Sequence, residues 1–127
     1  MKIRVQVPLK YGILFLQDPY GDPEIPEDTG AAPITFTESC VCFQVAAYID
    51  GDTDVTLSDE AYAGHALPSF AGKIHTPGKH ISLTDVPGSH YCILALKSSS
   101  ADIIIWNHDE NGVEASWIQI SELDLFK

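Results

Sequence analysis

The chain has 127 residues, is 45% apolar and 20% charged, and carries a formal net charge of −11. This is the length of one domain with a core that needs no disulfide or metal staple, and the composition excludes wholesale disorder. A surplus of acid is the wrong sign for phosphate contacts or an anionic membrane, so nucleic-acid and lipid binding are set aside.

Lys2–Val7 alternates Ile3, Val5 and Val7 with Lys2, Arg4 and Gln6, the period of a half-buried strand. Pro8 and Lys10 interrupt the apolar stretch that follows, and no small-residue cleavage site appears. The start therefore reads as that of a mature cytoplasmic protein, not a signal peptide. Residues 11–17 (YGILFLQ) read as a second, more buried strand. Residues 18–33 (DPYGDPEIPEDTGAAP) form a loop with four prolines, and loops this long are often functional. Residues 34–37 predict a short strand and Glu38 and Ser39 a break.

Residues 40–49 predict the longest strand. Val41, Phe43, Val45, Ala47 and Ile49 share one face and Cys40, Cys42, Gln44, Ala46 and Tyr48 the other, so both faces are apolar and the strand is central. Asp50-Gly51 signals a hairpin into a strand at 53–57. Residues 58–70 are the one helix candidate, with Ser58 as N-cap, Asp59 and Glu60 in the first turn, and Gly64 and Pro68 limiting it to about two turns. Strands follow at 79–84, 91–97, 101–106 and 114–120, with a turn at 108–112. The whole reads as an all-β single domain over 1–127: an antiparallel β-sandwich or flattened barrel of seven to nine strands, with at most one short helix.

Catalytic and metal signatures are thin. Cys40-x-Cys42 and His90-x-Cys92 each put two ligand-type side chains on one strand face, and neighbouring strands would make a Cys₃His site. The spacing is tighter than that of zinc motifs, and buried thiols in a reducing compartment are the plainer reading. Asp50, Asp52 and Asp54 imitate half an EF-hand, but Val55 and Ala61 stand where its glycine and bidentate glutamate belong. The five histidines accompany no G-x-S-x-G elbow, H-E-x-x-H helix or phosphate loop. The chain is read as a non-enzyme with no metal and no cofactor.

The distribution of charge says more than its sum. No Lys or Arg falls between Lys10 and Lys73, whereas eleven acids do; outside that gap seven acids balance seven bases. Such a surplus attracts a basic partner, speeds association and selects who binds. The expected contacts are Asp18, Tyr20, Asp22, Glu24, Glu27 and Asp28 in the Pro-rich loop, and Asp50, Asp52, Asp54, Asp59 and Glu60 around the hairpin. Tyr20 is the aromatic anchor, with Tyr62 and Phe70 behind it. A strand over 40–49 spans roughly 33 Å, which puts the two clusters at opposite ends unless the loop folds back.

The order of segments, YGILFLQD, the loop after it, ITFTES with CVCFQVAAYID, and GKHISLTDVPGSHYCILAL, resembles the competence-type DNA-entry nuclease inhibitor family over about Val5 to Asn107. The resemblance implies a cytoplasmic bacterial protein that binds and blocks a nuclease or similar toxin, as an immunity protein does. It carries over no individual functional residue. The alternative is a carbohydrate or small-ligand module with Trp106, Trp117 and Tyr91 as a stacking platform. Against it, both tryptophans sit in alternating apolar strands and read as core.

Overall fold

The computed structural model describes residues 2–7, 13–26, 34–44, 53–64, 66–85, 90–110 and 113–124. Among them are ten strands and no helix. They are β1 (Lys2–Val7), β2 (Ile13–Gln17), β3 (Ile34–Phe36), β4 (Cys40–Gln44), β5 (Thr53–Ser58), β6 (Phe70–His75), β7 (His80–Asp85), β8 (His90–Ala95), β9 (Ser100–Glu110) and β10 (Val113–Ile120). They form two five-stranded sheets, one ordered β1-β5-β10-β9-β6 and the other β3-β4-β2-β7-β8. All pairings are antiparallel except β5 with β10. Each sheet has two edges, so the sandwich stands and the closed barrel does not.

Alternation assigns the faces. In the first sheet Val7, Val55, Leu57, Ile118, Ile120, Ile103, Ile105 and Ile74 point inward and are buried. In the second, Leu14, Leu16, Val41, Phe43, Ile81 and Leu83 do the same. The two sets make one continuous core, and burial of each such side chain is worth about 1.5–3 kcal/mol.

Three expectations are corrected. The hairpin at Asp50-Gly51 does not form, because β4 and β5 lie in different sheets: β5 bonds to β1 and β10, while β4 bonds to β2 and β3. Asp50 and Gly51 themselves, with the rest of 45–52, lie outside the described residues. The helix at 58–70 is absent: β5 runs to Ser58, and the described residues from 59 to 69 are irregular. The Ser58 hydroxyl does accept from the Glu60 N–H at 3.0 Å, a turn-type cap with no helix behind it. Finally, Phe70–His75 is a strand that periodicity did not show, since Gly72 leaves a gap on its inward face.

Candidate protein-binding surface

The Pro-rich loop leaves β2 through Asp18, which is 1% exposed. Its carboxylate accepts the N–H of Tyr20 at 2.9 Å through one oxygen and the N–H of Gly78 through the other. One buried carboxylate thus clamps the loop onto the turn between β6 and β7. Gly78 is required there, because a Cβ would stand 2.9 Å from both Asp18 oxygens and from Tyr20 Cβ. The Tyr20 ring meets the His80 ring edge-on at 5.0 Å, and the His80 Nδ1–H donates to the Gly78 carbonyl at 2.7 Å. Further along, the Glu24 N–H donates to Ser39 Oγ at 2.7 Å and the Thr37 hydroxyl donates to the Glu24 carbonyl at 2.5 Å. The first half of the loop is therefore held at both ends.

Asp18 is corrected as a contact residue: it is buried and its oxygens are engaged within the chain, so it positions the loop. Tyr20, 66% exposed, and the exposed Asp22 and Glu24 sit on the surface as expected. Glu27, Asp28, Asp50 and Asp52 lie outside the described residues. The described part of the second cluster belongs to the other sheet. Asp54 lies on the outward face of β5, ion-paired with Arg4 of β1 at 3.2 Å. Asp59 and Glu60 are exposed just beyond β5. The described acids thus divide between the two sheets and do not make one face.

Two further large side chains, not foreseen as surface, are exposed on the Pro-rich loop and on β3. Ile25 is 50% exposed and Phe36 65% exposed. Phe36 meets Phe70 of β6 edge-on at 5.3 Å. Glu38, also exposed, accepts the His75 N–H at its carbonyl at 2.7 Å. Ile25 was legible as an aliphatic side chain between two prolines of a polar loop; Phe36 reads as core until its strand is known to be an edge.

Neither tryptophan joins the core between the sheets, although Trp106 is buried, 7% exposed. Trp106 and Trp117 are directly paired across β9 and β10 on the outward face of the first sheet. Tyr62 lies against both, at 6.2 and 5.9 Å between centroids, and the Trp117 Nε1–H donates to the Glu60 carbonyl at 2.8 Å. Lys2 Nζ stands 5.3 Å over the Trp117 ring. Beside them is a cleft of about 330 Å³ lined by Lys2, Arg4, Asp54, Thr56, Tyr62, Ala115 and Trp117. Tyr91 is not part of this group. It packs against the core from β8 and donates to Asp85 at 2.6 Å, and burial, then that bond, push its phenol up to about 12.

The Cys₃His grouping does not assemble. β2 and β7 lie between β4 and β8, so Cys40 and Cys42 stand roughly three strand spacings, about 14 Å, from His90 and Cys92. Burial and the neighbouring Cys42 push Cys40 up to about 12, and burial raises Cys92. Cys40 Sγ lies 3.5 Å from Gln17 Oε1, and His90 Nδ1 lies 3.2 Å from the Thr84 hydroxyl. No trio of His, Cys, Asp or Glu among the described residues is placed to hold a metal ion.

No family model and no curated protein matches the chain. A solved structure does. The crystal structure of ComJ, inhibitor of the DNA-degrading activity of NucA, from Bacillus subtilis, matches with a TM-score of 0.68 over 94% of this chain and 93% of that one. The chain has the fold of ComJ. Sequence identity is 8%, so what is shared is backbone architecture. The resemblance to DNA-entry nuclease inhibitors read from the sequence thus reappears as a likeness of fold. A second structure, titled Crocagin biosynthetic gene J, matches at a TM-score of 0.48 and 10% identity, covering 92% of this chain and 94% of that one.

Proposed function

We propose that this protein is a protein-binding inhibitor or immunity protein of bacterial type, cytoplasmic, that neutralises a basic nuclease or similar toxin. The observation that carries the reading is the near full-length likeness of fold to a nuclease inhibitor. The charge partition supports it from a second direction. A nuclease that grips phosphates presents cations, and a chain with eleven acids and no base between Lys10 and Lys73 is its electrostatic complement. Among the expected contacts, Tyr20, Asp22 and Glu24 keep their role on the loop, and Asp59 and Glu60 theirs at a separate place.

The test is inhibition. The purified chain is titrated against a basic endonuclease, the first choice being one encoded beside it, and DNA cleavage is followed at several salt concentrations. Stoichiometric inhibition that weakens as salt rises is expected, because exposed charges are screened. Cleavage unaffected by a tenfold molar excess at low salt sinks the reading.

A further inference from the structure

The inhibitor reading does not say which surface the partner covers. Resting on that reading, we infer that the partner docks on the seam between the two sheets, where the end of β3 meets β6. The occupant is a basic protein surface with an apolar centre.

Exposed apolar side chains mark the place. The large hydrophobics exposed among the described residues are Tyr20, Ile25, Phe36, Leu67 and Ile93. The first three lie along the Pro-rich loop and β3, which are held by the contacts of Tyr20 with His80, Glu24 with Thr37 and Ser39, and Phe36 with Phe70. Leu67, 85% exposed, stands three residues before Phe70. Only Ile93, on the β8 edge of the second sheet, is elsewhere. Large side chains scattered singly need no explanation, but a row of them marks an interaction surface.

The seam is also where the sandwich stays open. β3 and β6 are each the last strand of a sheet. β6 is tied to the end of β3 and the turn after it, by the His75 N–H on the Glu38 carbonyl and by the contact of Phe36 with Phe70. The Thr37 N–H is turned toward Cys40, so by strand alternation the N–H of Phe36 points to the open side. Such an edge can accept backbone as well as side chains from another molecule.

Charge selects the occupant. Asp22, Glu24 and Glu38 are exposed along this tract, and Lys79 stands at its near end; Lys73 of β6 is engaged with Asp102 at 3.9 Å on the outward face. A second copy would bring the same three carboxylates against themselves, which disfavours self-association. A basic surface meets them with opposite sign. The anchors are ready before contact: the Asp18 clamp fixes the backbone under Tyr20, and Tyr and Phe lose little side-chain freedom on binding.

The test uses the full chain and a basic endonuclease encoded beside it. Sedimentation at 0.15 M salt comes first and is expected to show a monomer; a dimer that Phe36→Ser dissociates overturns the proposal in favour of self-association. Inhibition constants are then measured for Tyr20→Ser, Ile25→Ser and Phe36→Ser, with Ile93→Ser as the distant control and thermal melts to confirm folding. At least a tenfold weakening for two of the three seam variants is expected, with Ile93→Ser within twofold. If the wild type inhibits and all seam variants do so within twofold, the seam is wrong and the inhibitor reading survives. If the wild type does not inhibit, the inhibitor reading fails and takes the seam with it.

Discussion

Asp18→Asn is the sharpest probe of how this surface is built. Both groups bonded to Asp18 are donors, the N–H of Tyr20 and the N–H of Gly78, and each takes a different carboxylate oxygen. Asparagine has the same shape but only one acceptor oxygen, so its amide nitrogen must face the other donor. The variant therefore loses one charge-assisted bond, worth about 1.5–3 kcal/mol, and leaves a donor unsatisfied in a site that is 1% exposed. A loss of about 3 kcal/mol corresponds to a drop in Tm of roughly 10 °C for a domain of this size. Asp22→Asn is the matched control. Asp22 is exposed with φ of 53°, a conformation that asparagine adopts readily, so its cost should stay under about 0.5 kcal/mol. Calorimetry of the three proteins gives the difference, and amide exchange locates it, with the Gly78 and Tyr20 amides losing protection first. A melting drop under about 2 °C for Asp18→Asn, with both amides still protected, refutes the clamp.

Reversing Asp22, Glu24 and Glu27 to lysine should slow association with an inhibited nuclease at least tenfold at low salt, with the gap closing toward 0.5 M; stopped-flow rates unchanged between variant and wild type count against the loop as contact. Gly78→Ala forces a methyl group against Asp18 and Tyr20 and should cost about 1–3 kcal/mol by denaturant titration, where a neutral result would show that the turn can move away. With the Cys40 thiol pushed up to about 12, on the order of one molecule in 10⁴ carries its thiolate at pH 8, so a thiol reagent should label Cys40 only on unfolding. Labelling at the rate of a free thiol would contradict that burial. The Tyr91 phenol is likewise raised in the folded state, so its stabilising effect is complete below the ordinary phenol value of about 10 and is lost as pH climbs toward 12. Absorbance titration at 295 nm should show one late phenol that Tyr91→Phe removes.

Much of this molecule is written locally. Alternation in Lys2–Val7, the apolar run at Ile13–Gln17 and the pattern around Trp117 each name a strand without reference to anything distant, because side chains on a strand alternate whatever it pairs with. The charge gap is likewise a property of the chain alone. Pairing is not local. Asp50-Gly51 has the chemistry of a hairpin turn, yet β5 finds better partners in β1, about 50 residues before it, and β10, about 60 after.

Alternation also separates two faces without saying which is inside. Trp106 and Trp117 occupy regular strand positions that read as core; Trp106 is buried, but the inward places between the sheets belong to Ile105 and Ile118 beside them. Asp18 and Phe36 show the same limit at the candidate surface. An acid in a polar loop reads as a contact until a distant glycine N–H closes on it, and a phenylalanine in a strand reads as core until that strand proves to be the last in its sheet. Side-chain order and sign were enough for most of the strands and for the acidic stretch between Lys10 and Lys73, because neither depends on what a strand pairs with. Which acids reach solvent, and that Tyr20, Ile25 and Phe36 are exposed, follows from how the two sheets pack, because burial depends on residues far apart in the chain.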